Sequence, residues 1–260
     1  MKIFVNVVML SLVLAVAVSC DPIEDRDAFP SSIPASDLKF SATQDATNPN
    51  IIYLKSSTPE VIPYWDYVVG SSKNASDTIY IPFEGDFWIK YYAYSGGLPT
   101  VDSVKITLKQ DPTYFADPAW EFLTNGPAGK TWVWAVDNSY KYGVWGIGPW
   151  TGSWGEWWPG AADAASNVGA NITDEMTFDL NKGFNYKLQP QGAAAKTSKF
   201  TFDPVAKTIK LVGSGDISFG KSGVTYYIVK LTADELTLKY EDSGNGWYYL
   251  FKRKGYTYGG

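Results

Sequence analysis

The chain has 260 residues, 22 basic and 27 acidic side chains, no histidine and one cysteine. Its net charge of −5 lacks the basic footprint that nucleic acid requires and disfavours adsorption on anionic lipid head groups. Without histidine there can be no Ser-His-Asp or Cys-His nucleophile and no histidine-containing zinc site, and one cysteine builds neither an intrachain disulfide nor a thiolate metal site.

Residues 1–19 read as a signal peptide. Lys2 gives a positive start, and Ile3 to Val18 is apolar apart from Asn6 and Ser11. Small residues then precede a cut site, and the apolar run is short for a spanning helix. Ala17-Val18-Ser19-Cys20 resembles a bacterial lipobox, which implies that Cys20 is lipidated and begins the mature chain. The alternative is a plain cleaved signal with an incidental cysteine. Residues 20–37 form a tether, acidic at Asp21, Glu24, Asp25 and Asp27 and stiffened by Pro22, Pro30 and Pro34. Acidic residues directly after the cysteine resemble the signal for display on the outer face of the outer membrane in Bacteroidetes lipoproteins. By chemistry alone the segment is a solvated linker. Removing 1–19 takes away one lysine and no acid, so the mature charge is −6. Roughly 240 mature residues suit two domains of ordinary size, and aromatics at 16% supply ample core.

Residues 38–110 read as a small all-β domain. Ile51 to Leu54, Tyr64 to Val69 and Thr78 to Ile81 are short strand-like runs separated by turns. Phe87, Ile89 and Tyr91 alternate with Trp88, Lys90 and Tyr92, the period-two signature of a strand. Val101, Val104, Ile106 and Leu108 complete the domain, and the pattern predicts a β-sandwich. Trp65-Asp66 before a turn, followed by Pro82-Phe83-Glu84-Gly85-Asp86-Phe87, resembles the polycystic-kidney-disease (PKD) immunoglobulin-like domain, which implies a spacer. Val68-Val69-Gly70 departs from that family's Gly-Asp-Gly. Trp65 is expected in the core, and Trp88 is expected to point away from it, to meet either the next domain, the favoured choice, or a ligand. A linker at 111–118, with Asp111-Pro112 and Pro118, leads to the second domain.

Residues 119–254 read as a larger antiparallel all-β domain, with a short tail at 255–260. Trp132, Trp134 and Val136 alternate with polar or smaller neighbours, and so do Met176, Phe178 and Leu180. Phe200 and Phe202, Ile209 and Leu211, Tyr227 to Leu231, Leu236 to Tyr240 and Trp247 to Phe251 follow as hairpins in sequence order. An up-and-down barrel and a sandwich both fit. Ile228 to Leu238 and Gly246 to Lys254 resemble the last hairpins of lipocalin-like domains in Bacteroidetes lipoproteins. Leu123-Thr124, Lys130 to Trp134 and Glu156-Trp157-Trp158-Pro159 resemble the C-terminal module of PKD-bearing surface proteins from β-glucan utilisation loci of gut Bacteroidetes. That resemblance implies binding of a β-glucan such as laminarin or mixed-linkage glucan.

Gly143 to Ala161 stands out. It carries Trp145, Trp150, Trp154, Trp157 and Trp158 among six glycines and two prolines. Glycine and proline punctuate loops, so most of this stretch is expected to be irregular. Indoles on a loop either pack into a local core or form an exposed platform, and the two can coexist. A platform suits sugar, because an indole offers a broad stiff face and one N–H donor. The expected glycan contacts are Trp145, Trp150, Trp154, Trp157 and Trp158 for stacking, with Glu156, Asp163 and Tyr140 bonding hydroxyls.

Catalysis is not expected. Glycoside hydrolysis needs two carboxylates flanking the scissile bond. Glu156, Asp174 and Glu175 are candidates by composition alone, but neighbours on a strand point to opposite faces, and no spaced carboxylate motif is present. No cofactor is expected. Asp174, Glu175, Asp179 and Asn181 are oxygen donors for a structural calcium, against the simpler reading of a solvated strand start. The chain therefore reads as a lipid-anchored outer-membrane protein facing the exterior, which captures polysaccharide for an uptake system and works beside a TonB-dependent transporter. Two alternatives stay open. One is a lipocalin-like carrier with an apolar cavity lined by Trp134, Phe178 and Phe202; the other is a structural subunit of an outer-membrane complex.

Overall fold

A computed structural model describes residues 31–137, 144–151, 172–213, 215–217 and 223–258, together with the backbone of 158–159. Cys20 and the acidic start of the tether lie outside the described residues. Among the described residues the chain is all-β with one short α-helix.

Seven strands build the first unit: β1 (Phe40–Gln44), β2 (Ile51–Ser56), β3 (Ile62–Tyr67), β4 (Gly70–Ser72), β5 (Ser76–Tyr80), β6 (Gly85–Tyr94) and β7 (Thr100–Leu108). They pair as two antiparallel sheets, β1-β2-β5 and β4-β3-β6-β7. Alternation in β6 explains the packing: Phe87, Ile89, Tyr91 and Ala93 are buried between the sheets, while Trp88, Lys90 and Tyr94 face out. Trp65 is fully buried on β3 and donates its indole N–H to the Asn74 carbonyl at 3.0 Å. Trp88 points away from the core as expected, but it is left 57% exposed instead of being covered by the second unit.

The two ends of this sandwich are distinct. At one end the β6–β7 turn holds the incoming chain: the Ser32 hydroxyl donates to the Leu98 carbonyl and the Thr100 hydroxyl to that of Ile33. At the other, Phe83 stacks edge-on against Phe184 of the second unit at 4.7 Å, and a side chain at Gly85 would collide with Lys182. Tyr114 and Phe115 of the linker join the same aromatic cluster.

A helix not anticipated in the all-β reading follows. Asp117 caps α1 (Pro118–Thr124) by accepting from the Ala119 N–H at 2.8 Å, and Pro118 opens it with its φ already set. Asn125 ends it in the left-handed region at φ 53°. Trp120, Leu123 and Thr124 are its buried face.

Ten strands follow: β8 (Lys130–Trp134), β9 (Trp145–Pro149), β10 (Trp158–Pro159), β11 (Glu175–Asp179), β12 (Asn185–Gln189), β13 (Lys196–Asp203), β14 (Thr208–Val212), β15 (Thr225–Leu231), β16 (Glu235–Asp242) and β17 (Asn245–Arg253). β8 and β11 to β17 pair in sequence order, and β17 returns to β8, closing an eight-stranded antiparallel barrel. This settles the choice between barrel and sandwich. Closure leaves no free edge, and an eight-stranded barrel is just wide enough for side chains to fill. Inward residues do fill it: Trp134 lies 4.6 Å from Phe251, Phe178 meets Tyr186 and Phe200, and Phe202 meets Trp120 of the helix. The Trp132 indole donates to the Leu123 carbonyl at 3.0 Å, so α1 plugs the barrel end nearest the sandwich. β8 is shorter than its alternation implies. Trp132 and Trp134 point inward, but the strand ends there and Val136 is 52% exposed.

Candidate functional site

β17 is long enough to have two partners on one side. Its C-terminal residues Phe251 to Arg253 pair with β8, and its N-terminal residues Asn245 to Tyr249 pair with β9. β9 thus continues the line of β8 beyond residues 135–144, and β10 pairs back onto β9 through Trp158↔Ile147 and Pro159↔Gly146. The glycine- and proline-rich stretch is therefore not wholly irregular. The glycines allow close pairing: Gly148 sits opposite Gly246, where a side chain would come within 3.1 Å of the Tyr248 ring.

The indole-rich segment leaves the described residues at Thr151 and returns at Ile172. Both ends lie at the barrel end remote from α1. Trp150 N–H donates to Gly244 in the β16–β17 turn, and the Asp174 carboxylate accepts from Gln191 N–H in the β12–β13 turn at 2.9 Å. Tyr140, Trp154, Glu156, Trp157 and Asp163 lie outside the described residues. Trp158 is described only through its backbone pairing.

Trp145 corrects one expectation. It is only 4% exposed and stacks on Trp247, with centroids 6.0 Å apart and planes 13° apart. With its faces buried it belongs to the core, not to a sugar platform. Strand pairing causes this, since the β9 register against Tyr249 fixes where the side chain goes. Trp247 continues into Tyr240 at 6.3 Å and 9°, and Tyr240 into Tyr249 at 5.9 Å and 6°. Four rings thus stack nearly parallel toward the remote end of the barrel. Burial, followed by the neighbouring Tyr240, drives the Tyr249 phenol far above its ordinary range. The Trp247 Nε1 is enclosed with no hydrogen-bond partner among the described residues. The alternating pattern of β16 and β17 contains this ladder, but only the register of β9 adds Trp145 to it.

Trp150 is half-buried on the outer wall. Tyr227 meets its ring edge-on at 5.1 Å, and the Lys239 ammonium lies 4.2 Å from its centroid while donating to its carbonyl at 3.0 Å. Burial lowers the Lys239 pKa from its usual value. A cation over an indole at a partly buried site contributes about 1 kcal/mol, so Trp150 is held in place and one of its faces is occupied. Tyr227, Lys239 and Trp247 are site neighbours that sequence spacing alone did not single out.

The calcium donors are engaged elsewhere. Glu175 pairs with Lys254 at 2.6 Å, and Asp179 accepts from Asn181 N–H and from the Asn185 amide. Among the described residues no cluster of three or more carboxylates or thiols could hold a metal. A cleft of about 770 Å³ lies near α1, at the barrel end opposite Thr151 and Ile172. Within it Arg253 pairs with Asp234 at 2.7 Å, and buried Lys130 donates to the Ala233 carbonyl at 3.2 Å. Desolvation lowers the Lys130 pKa.

No known family model matches this sequence, and no curated protein matches it.

Proposed function

We propose that this chain is a non-catalytic, lipid-anchored surface protein that captures polysaccharide, with β-glucan the favoured ligand, at the barrel end carrying the indole-rich segment. The observation that carries this reading is the order of parts. The incoming tether is held at one end of the sandwich, α1 and the aromatic junction join the other end to the barrel, and the indole segment departs from the barrel's far end. Indoles at that position would stand furthest from an anchor at Cys20. Residues 38–110 are read as a PKD-type spacer, supported by the seven-stranded sandwich with a buried tryptophan on its third strand. The filled interior at Trp134, Phe178 and Phe202 favours capture at the rim over carriage of an apolar ligand inside. Delivery to a TonB-dependent transporter in the outer membrane completes the proposal.

Affinity electrophoresis in gels containing laminarin or mixed-linkage glucan tests it. Truncating a central stacked indole costs about 2 kcal/mol or more, a loss of roughly 30-fold. Trp154→Ala, flanked by Gly152-Ser153 and Gly155, is expected to abolish retardation with little change in melting temperature. Trp157→Ala or Trp158→Ala is expected to do the same. Trp150→Ala should have a smaller effect, because Lys239 already covers one face. The protein should release no reducing sugar. The reading fails if wild type is not retarded by any glucan, or if every variant melts lower yet binds normally.

A further inference from the structure

The outer face of the sheet β4-β3-β6-β7 is a second aromatic surface. Trp88, Tyr92 and Tyr94 lie on it along β6, with Tyr64 opposite Tyr92 on β3 and their rings 5.6 Å apart. Ile62 and Val101 flank them across the same sheet. Trp88 is 57% exposed and Tyr94 40% exposed. At about 3.3 Å per residue, the row from Trp88 to Tyr94 runs for roughly 20 Å. It extends from near the barrel junction toward the tether end of the sandwich. Burying the opposite face of β6 accounts for Phe87, Ile89 and Tyr91, but it places no demand on what faces outward. A contiguous exposed aromatic patch normally marks a binding surface.

Its charges point to the kind of ligand. Lys90 stands directly across from Asp66, between the Trp88 and Tyr92 positions, and Lys105 pairs with Asp86 at 2.7 Å. The face therefore carries compensated charge and presents little net field to steer a charged partner. A protein interface is depleted of charge at its centre, whereas here Lys90 and Asp66, opposite each other in the strand register, sit in the middle of the row. A neutral polyhydroxylated chain can use both kinds of group: ring faces for its C–H surfaces, and ionised side chains and phenols for its hydroxyls.

We propose that this face is a second glycan platform, on which a further stretch of the same neutral polysaccharide lies along β6. The proposal rests on the glycan-binding reading above. Two linked contacts on one polymer raise retention by effective concentration without strengthening either contact. The first unit would then be an auxiliary binding module as well as a spacer.

The test compares the full chain with its Trp88→Ala and Tyr94→Ala variants, on long-chain β-glucan and on a β-glucan hexasaccharide too short to span both surfaces. Expected is a loss of polymer retention on the order of tenfold, unchanged hexasaccharide binding at the barrel and an unchanged melting temperature, since both side chains are exposed. Trp154→Ala, by contrast, should abolish hexasaccharide binding as well as polymer retention. Unchanged polymer retention in both sheet variants overturns this proposal and leaves the barrel reading standing. Equal loss on polymer and hexasaccharide also overturns it, because the change would then act through the barrel. Failure of wild type to bind either ligand removes both.

Discussion

Replacing Trp145 by alanine separates core from platform within the indole-rich stretch. An indole buries about 150–250 Å², and at roughly 25 cal/mol per Å² that corresponds to about 4–6 kcal/mol of transfer free energy. Large-to-small truncation of a buried tryptophan costs about 3–5 kcal/mol, consistent with that area. Trp145 is 4% exposed and stacked on Trp247 at 6.0 Å, so little of the cost can relax away. For a protein of this size each kcal/mol moves the melting temperature by about 2–4 °C, giving a fall on the order of 10 °C. Thermal unfolding followed by circular dichroism measures it, and Trp145→Phe should recover much of the loss. Glucan retention, assayed well below the lowered transition, should persist. A Trp145→Ala variant that melts like wild type but no longer binds glucan would refute the core assignment and return Trp145 to the platform.

Phe184 touches Phe83 of the sandwich, Trp120 of α1 and Phe200 of the barrel; Phe184→Ala should cost about 3 kcal/mol and split one calorimetric transition into two, whereas a single unshifted transition would deny that the junction couples the units. The Tyr80 hydroxyl donates to Asp111 and holds its carboxyl below the usual range, opposed by partial desolvation and helped by the Thr113 N–H. A lowered folded-state pKa contributes stability that is present above the unfolded value of ~3.9 and lost as pH falls through the folded value. The melting-temperature gap between wild type and Asp111→Asn should therefore be widest near neutrality and close in acid; a gap that widens in acid contradicts the assignment. If Cys20 is lipidated and the acidic tether directs display, protease added to intact cells should remove the protein and Cys20→Ala should release it from the membrane, while equal protection of both forms counts against display.

Much of the fold was legible because it depends on local alternation. Period-two patterning gave β6, β11, β13, β14, β16 and β17 together with their inward faces, and turn residues separated them; in β15 it picked the wrong face, since Tyr226 is buried while Tyr227 and Val229 are 40% and 54% exposed. β1 and β4 were missed because Phe40–Gln44 and Gly70–Ser72 are short and carry few large apolar residues. α1 was missed although its signal was present: Asp117-Pro118 is a cap followed by proline at the first helical position, and Trp120 and Leu123 lie at helical spacing. Surrounding strands drew attention to the wrong period. β9 and β10 were hidden by their glycines and prolines, which mark loops locally but here permit close pairing against β17.

The sequence by itself determined the all-β class, the absence of histidine-dependent chemistry, the inward sets of most barrel strands and the concentration of indoles in one segment. Those follow from composition and from side-chain direction along a strand, which need no distant partner. Tertiary structure alone decided that the second unit closes as a barrel, since closure is a pairing between β17 and β8 whose partners Phe251 and Trp134 are 117 positions apart (251 − 134), invisible to any local pattern. It also decided that Trp145 is core while Trp150 lies on the outer wall and Trp88 on an open face. Trp145 and Trp150 look alike in the sequence, and alternation placed Trp88 outward without saying what covers it; burial depends on which strand or unit comes to lie beside each one.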